Sequence, residues 1–174
     1  MKKLRIAIIG LGHLGSKHLK VYNELKSKVE IVGICDLNTT LVQTLASQYN
    51  VTSFQNFTQL PAMDAVNICT PTSSHFELGQ HFLNKNIHTF IEKPIALDVK
   101  QGEQLTALAI QKKLKLQIGH VERFNSAFES IKHFTHNPLF IESHRLNHFS
   151  NRSLDIGVVM DLMIHDIDII LGLI

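Results

Sequence analysis

Residues 6–17 read Ile-Ala-Ile-Ile-Gly-Leu-Gly-His-Leu-Gly-Ser-Lys, and the rest of the chain can be placed around this stretch. The apolar, β-branched run at 4–9 predicts a buried strand, and helical periodicity follows it. Between strand and helix, Gly10, Gly12 and Gly15 follow the G-x-G-x-x-G spacing. These glycines permit a sharp turn, close approach of a pyrophosphate and tight packing of the helix on the strand. Because the helix N-terminus also presents N–H groups to phosphates, the stretch predicts a dinucleotide site.

A second predicted strand at 29–35 ends in Asp36, which lies about 20 residues beyond the glycines. A carboxylate at this place can accept hydrogen bonds from both hydroxyls of the adenosine ribose. Leu37 and Asn38 follow, and no arginine stands beside Asp36 to hold a 2′-phosphate. Because the carboxylate would also repel that phosphate, the sequence predicts NAD rather than NADP. The alternative is an ordinary strand–turn–helix that contains several glycines, and the acid after the second strand argues against it.

Predicted strands and helices alternate through the first two thirds of the chain. Further strands are predicted at 51–54, 64–70, 87–91 and 114–119. Helices are predicted at 38–49, 73–83 and 98–110, capped by Asn38 or Thr39, by Ser73 or Ser74, and by Asp98. Helical periodicity after the glycines begins at Leu14, and Leu19, Val21, Tyr22 and Leu25 are predicted to face inward. This alternation is typical of an α/β fold with a doubly wound parallel sheet, here a first domain at 1–120.

The carboxyl ends of these strands carry the candidate ligand residues. In a doubly wound sheet, ligands bind in the crevice outside those ends. The residues found there are Gly10, Asp36, Thr70 and Lys93. We therefore expect one crevice to gather them.

The pattern changes after residue 120. A helix is predicted at 123–136 and a helix capped by Asp155 at 156–171. Between them, a long strand is predicted at 139–149, with Ile141, Ser143, Arg145 and Asn147 on alternate positions. One strand without an evident partner and one apolar helix do not complete a domain. Residues 121–174 are therefore interpreted as the incomplete start of a second domain.

Composition and charge exclude several classes of partner. The 174 residues are 44% hydrophobic and 18% charged, and the net charge of +2 is spread along the chain, which favours no nucleic-acid partner. The lysine-rich start is followed by a short apolar run that glycines interrupt, which is unlike a leader peptide. Carboxylates in the last helix argue against a membrane span. With two cysteines interpreted as reduced thiols, we expect a cytoplasmic protein.

The last predicted helix carries the best candidates for proton transfer. Asp161, His165 and Asp168 are spaced to share one helix face. A histidine can accept a proton near neutral pH, and Asp161 can orient the imidazole. A solvated polar stripe and a metal site are the alternatives, and we expect no metal. Lys93 next to Pro94 is a further candidate, with an ordinary surface lysine as its alternative.

Four other residues are weaker candidates. These are His75, His120, Arg123 and Asn125. For the two histidines, a structural role is as well supported as a ligand contact. The remaining histidines are interpreted as surface residues.

These motifs, in this order, resemble the Gfo/Idh/MocA family of NAD(P)-dependent oxidoreductases. The matching segments are Gly-Leu-Gly-His-Leu-Gly at 10–15, Asp36, Cys-Thr-Pro-Thr-Ser-Ser-His at 69–75, Glu-Lys-Pro at 92–94 and Asp-Leu-Met-Ile-His at 161–165. The resemblance implies a Rossmann domain followed by a C-terminal α/β domain with a large open sheet, which shapes the substrate site and the oligomer interface. Family members are longer than this chain, so we expect much of that sheet to be absent here.

The resemblance also implies roles for individual residues. Lys93 would contact the reacting hydroxyl, His165 would act as general acid/base, and Asp161 would support it. The residues implied to line the cofactor, besides the three glycines and Asp36, are His13, Leu14, Thr70, Pro71, His75, Glu92 and Lys93. Arg123 and Asn125 are weak substrate candidates.

Residues 119–125, Gly-His-Val-Glu-Arg-Phe-Asn, resemble the branch of the family that acts on nucleotide sugars. That likeness implies oxidation at C3 of UDP-N-acetylglucosamine by a homo-oligomer that serves lipid A synthesis. Oxidation of a simple sugar, an inositol or another polyol is one alternative. A non-catalytic dinucleotide-binding module or remnant is the other.

Overall fold

The computed structural model describes residues 2–132, 134, 138–146 and 156–174. The chain divides into two compact units, Met1–Ile118 and Gly119–Ile174. Across the described residues, no helix combines the length and apolar composition that a bilayer span requires.

The first unit is built on a six-stranded parallel sheet. Its strands are β1 (Leu4–Ile9), β2 (Val29–Cys35), β3 (Ser53–Phe54), β4 (Ala65–Ile68), β5 (His88–Ile91) and β6 (Leu116–Ile118). They lie in the order β3-β2-β1-β4-β5-β6, and every pairing is parallel. The chain therefore runs outward from β1 in both directions, which confirms the doubly wound Rossmann fold. In sheets of this kind a ligand binds where the direction reverses, which here is between β1 and β4.

Helices connect the strands as the alternation predicts. They are α1 (His13–Glu24), α2 (Thr39–Tyr49), α3 (His75–Asn84) and α4 (Val99–Gln111), with short 3₁₀ turns at Phe57–Gln59 and Thr72–Ser74. The predicted caps Asn38 and Asp98 accept hydrogen bonds from the backbone N–H groups of Leu41 and Gln101. Ser74 is the N-cap residue of α3, as predicted, but its side chain makes no cap hydrogen bond: the hydroxyl donates to the Pro71 carbonyl oxygen at 2.8 Å and lies 2.7 Å from Thr70 Oγ1.

Apolar side chains are buried on both faces of the sheet. One cluster holds Ile8, Leu11, Leu19, Ile34 and Val42; the other is centred on Ile68, Phe82, Leu83, Ile91 and Leu105. The prediction that Val21 and Leu25 face inward is wrong, since these side chains are exposed. Helix α1 packs through a narrower face that contains Gly15 and Leu19, and a Cβ on Gly15 would collide with the Gly10 carbonyl oxygen.

The second unit differs from its predicted elements. The helix predicted at 123–136 is a 3₁₀ turn, Val121–Phe124, followed by α5 (Ser126–Lys132). The strand predicted at 139–149 is not formed over the described residues 138–146, because an extended segment needs a neighbour for its backbone groups. The rest of that strand and the cap Asp155 lie outside the described residues. Helical backbone begins at Val158 and passes through a π-helical turn, Val159–Met163, into α6 (Ile164–Leu171).

Candidate dinucleotide and catalytic site

The glycine turn after β1 has the shape that a pyrophosphate requires. Gly10 adopts φ +82°, and a Cβ there would lie 2.7 Å from the Thr70 backbone nitrogen. A Cβ on Gly15 would collide with the Gly10 carbonyl oxygen, so glycine lets α1 close onto the turn. A Cβ on Gly12 would meet nothing within 4 Å, which leaves open space at the α1 N-terminus. This turn therefore fits a dinucleotide.

Asp36 lies directly beyond β2 and faces the same turn. Its Oδ2 accepts the Leu11 backbone N–H at 2.6 Å, and its Oδ1 accepts the Asn38 backbone N–H at 2.8 Å. These bonds fix the carboxylate between the glycine turn and the start of α2. The structure thus brings Gly10, Asp36 and Thr70 together at the carboxyl edge of the sheet, where the sequence places them.

His75 ties two loops of this edge together. The side chain is 1% exposed, with Nδ1 2.8 Å from the Pro94 carbonyl oxygen and Nε2 2.8 Å from the Thr70 carbonyl oxygen. Both ring nitrogens are therefore occupied by backbone groups of the chain. Of the two roles that the sequence leaves open for His75, these contacts provide the structural one, and its contact with the cofactor stays a prediction.

Glu92 and His18 form a contact that sequence reasoning missed. His18 is not the surface residue that was predicted: its Nε2 lies 2.7 Å from Oε1 of the buried Glu92. The signal is present in the helical spacing, since His18 shares a face of α1 with Gly15, Leu19 and Tyr22. Glu92 Oε2 accepts the backbone N–H of Lys93 at 3.2 Å. The His18–Glu92 pair is therefore hydrogen-bonded to the backbone of the turn that carries the candidate lysine.

His18, Cys69 and Glu92 are the right residue types to bind a metal ion. One potential ligand atom from each side chain lies within 4.8 Å of the other two. Each of these groups already has a hydrogen-bond partner within the chain: His18 pairs with Glu92, and the Cys69 thiol donates to Asn67 Oδ1 at 3.2 Å. Burial, followed by the nearby Glu92 charge, raises the pKa of Cys69 and disfavours the thiolate that a metal would bind. The expectation of no metal stays a prediction.

The second unit contains a group of charged side chains around Asp168. Asp168 is 8% exposed, and its two oxygens accept hydrogen bonds from Nε and Nη2 of Arg123, each at 2.6 Å. The His120 Nδ1 lies 3.8 Å from Asp168 Oδ1. The Arg123 hydrogen bonds hold the pKa of Asp168 below its usual value, with smaller contributions from the charges of His120 and His165. Arg123, a predicted substrate residue, is thus committed to Asp168 through two of its nitrogens.

The other candidates of this unit also have defined places. Asn125 caps α5, because its Oδ1 accepts the Ala127 backbone N–H at 3.0 Å. Asp161 lies within the π-helical turn, and His165 follows in the first turn of α6. The predicted common face of Asp161, His165 and Asp168 is therefore not that of a regular α-helix. No feature of the sequence indicated the π-helical turn, which is a geometry often found at functional sites.

A doubly wound sheet with this glycine turn, and with an acid after its second strand, defines the class of dinucleotide-binding proteins. The family model described as "Oxidoreductase family, NAD-binding Rossmann fold" matches residues 4–120. The chain therefore belongs to the Gfo/Idh/MocA family of oxidoreductases, as its motifs suggested.

Individual relatives refine this likeness. UDP-N-acetylglucosamine 3-dehydrogenase of Acidithiobacillus ferrooxidans is 36% identical over 98% of this chain and 54% of its own length. The solved structure of that enzyme, GnnA, superimposes with a TM-score of 0.90 over 99% of this chain and 57% of its own. An inositol 2-dehydrogenase/D-chiro-inositol 3-dehydrogenase of Lactiplantibacillus plantarum is 26% identical over 95% of this chain and 51% of its own. The chain thus spans about half the length of these curated relatives.

Proposed function

We propose that the protein is an NAD-dependent dehydrogenase that oxidises the C3 hydroxyl of UDP-N-acetylglucosamine. The 36% identity to a relative of that name, extending over nearly the whole chain, is the observation that carries the proposal. The segments at 92–94 and 161–165 supply the residue types that hydroxyl oxidation requires. A cytoplasmic homo-oligomer that serves lipid A synthesis is the expected setting and belongs to the same proposal.

The proposed reaction removes one proton and one hydride from a secondary alcohol and leaves a ketone. When bound, the nicotinamide supplies the acceptor for the hydride. His165 accepts the proton of the hydroxyl as that hydride leaves the carbon. Lys93 donates a hydrogen bond to the same oxygen, and Asp161 orients the imidazole and stabilises its charged form.

NAD rather than NADP is the proposed cofactor because of Asp36. Two backbone N–H groups orient its carboxylate beside the glycine turn. A negative charge at this position can accept hydrogen bonds from ribose hydroxyls and repels a 2′-phosphate. The residue after it, Leu37, is 91% exposed and carries no charge to balance such a phosphate.

Substrate-dependent NADH formation tests the proposal in the protein as expressed from its gene. With NAD and UDP-N-acetylglucosamine, we expect NADH absorbance to rise, and His165→Ala to lower kcat by about 10²-fold or more because the general base is lost. His144→Ala, which alters an exposed histidine of the same unit, is the matched control.

The inositol dehydrogenases among the relatives provide the second candidate, so myo-inositol is the competing substrate. Faster NADH formation with myo-inositol than with UDP-N-acetylglucosamine would show that the substrate is a polyol rather than a nucleotide sugar. NADH binding without turnover of either substrate would favour a non-catalytic module. An undiminished rate in His165→Ala would remove His165 from the mechanism.

A further inference from the structure

The turn that carries Lys93 is held from two sides by histidines. On one side, His18 of α1 pairs with Glu92, with 2.7 Å between Nε2 and Oε1. On the other side, His75 at the start of α3 lies with Nδ1 2.8 Å from the Pro94 carbonyl oxygen. The residues before and after Lys93 are therefore each tied to a different helix.

Hydrogen bonds from both its side chain and its backbone hold Glu92 in place within this turn. A carboxylate that is only 4% exposed is costly unless hydrogen bonds satisfy its oxygens. One oxygen is held by His18, and the other accepts the Lys93 backbone N–H at 3.2 Å. The Glu92 backbone N–H donates to the Ile68 carbonyl at 2.9 Å, which extends the pairing of β4 with β5. These hydrogen bonds of Glu92 thus fix the direction of the backbone where it leaves β5, immediately before Lys93.

His18 is itself held in place by its surroundings. Its ring packs edge-on against Phe90 of β5, with centroids 5.2 Å apart and ring planes at 61°. One turn earlier in α1, Gly15 closes the helix onto the glycine turn. The same helix therefore joins the turn that fits a pyrophosphate to the turn that carries Lys93.

We propose that His18 is a positioning residue, which acts through the Glu92 carboxylate to set the direction of the Lys93 amine relative to a bound dinucleotide. This inference rests on the proposed function, in which Lys93 contacts the reacting hydroxyl. A displacement of about 1 Å at a reacting centre can lower a rate by about 10²-fold. Loss of His18 should therefore lower turnover, whereas the affinity for NADH depends on the glycine turn and Asp36.

Two substitutions at His18 separate positioning from packing. His18→Phe keeps a ring against Phe90 and removes the N–H donor, whereas His18→Gln returns an N–H group at a similar reach. For His18→Phe, we expect kcat to fall by about 10- to 100-fold while the Kd for NADH changes by less than about two-fold. His18→Gln should recover most of the lost kcat. A purely structural role would lower Tm and leave kcat per folded molecule unchanged.

A control and a second variant complete the experiment. His88 lies at the opposite end of β5, where its Nδ1 accepts the Lys115 backbone N–H at 3.0 Å, and His88→Asn should keep the wild-type kcat. If His18→Phe does not fold, Glu92→Gln tests the same hydrogen bonds with a side chain of equal size. We expect Glu92→Gln to lower kcat as His18→Phe does.

Lys93→Ala, measured in parallel, tells the two possible failures apart. If Lys93→Ala keeps the wild-type kcat, the proposed role of Lys93 is wrong and the positioning inference is lost with it. If Lys93→Ala is inactive while His18→Phe, or in its place Glu92→Gln, keeps the wild-type kcat, the positioning inference alone is overturned. A His18→Gln variant no better than His18→Phe would also overturn it.

Discussion

The two units of the chain are stabilised in different ways. Of the twenty apolar side chains that are buried among the described residues, nineteen lie in Met1–Ile118, and the remaining one is Phe128. In Gly119–Ile174, large apolar side chains such as Phe124 and Leu171 are exposed, while the carboxylate of Asp168 is buried against Arg123. The first unit therefore has a large apolar core around its sheet, whereas the described part of the second has few buried apolar side chains and contains ion pairs, among them Arg123–Asp168 and Arg145–Asp166.

This difference bears on what each unit can do. Apolar packing on both faces of a parallel sheet holds the glycine turn, Asp36 and the turn at Lys93 in fixed positions. The proposed general base, His165, lies instead on a helix whose neighbouring carboxylates, Asp166 and Asp168, are held by Arg145 and Arg123. The proposed cofactor site thus lies in the unit with the larger apolar core, and the proposed general base lies in the unit with the smaller one.

The largest expected effect is on the packing of the first unit. Gly15→Ala places a methyl group against the Gly10 carbonyl oxygen, and neither backbone can move away without opening α1 from the sheet. We expect a loss of about 3 kcal/mol in the free energy of unfolding, measured by urea denaturation. Gly157→Ala in the second unit, where a Cβ meets nothing within 4 Å, is the matched control. Equal stability of Gly15→Ala and the wild type would contradict the packing described for α1.

A smaller effect is expected from acidification of the second unit. Arg123 holds the pKa of Asp168 below its usual value, so this pair stabilises the folded state above the ordinary aspartate pKa of about 3.9. The stabilisation, about 1–2 kcal/mol for a charged hydrogen-bonded pair, is lost as the pH falls through the lowered pKa. NMR signals of α6 should therefore shift at a higher pH than those of β1.

Asp168→Asn provides the control for this acid effect. The variant lacks the titrating carboxylate, so its α6 signals should already be altered at neutral pH and should change less on acidification. Arg145 also holds the pKa of Asp166 low through a hydrogen bond, so part of the acid response should persist. If the NMR signals of α6 shift at the same pH as those of β1, or at a lower pH, the two units do not differ in their response to acid.

The fold of the first unit could be predicted from the sequence because its buried strands are continuous apolar runs. The predicted bounds of β1 and β2 agree with the structure, and the other strands differ only at their ends. The turn glycines and Asp36 could be found by spacing, because a phosphate-binding turn restricts the residue type at each position. His18 cannot be found in the same way, because the inner face of α1 is predicted from apolar periodicity, to which a polar side chain does not contribute.

The second unit could not be predicted to the same degree. Alternation at 139–149 indicates a strand only when a neighbouring strand is available, and the described residues 138–146 form none. The Arg123–Asp168 pair joins residues 45 positions apart, a separation at which local spacing carries no information. The π-helical turn around Asp161 likewise depends on packing rather than on a local motif.

A titration of NADH into the wild type and Gly12→Ala tests most directly the claim that the glycine turn of the first unit holds NAD. A methyl group on Gly12 meets no atom of the chain within 4 Å, so Tm should stay near the wild-type value. The same methyl group would occupy the space that a pyrophosphate needs, so we expect the Kd for NADH to rise by about ten-fold or more. Equal affinity in both proteins, or no NADH binding by the wild type, would contradict the claim.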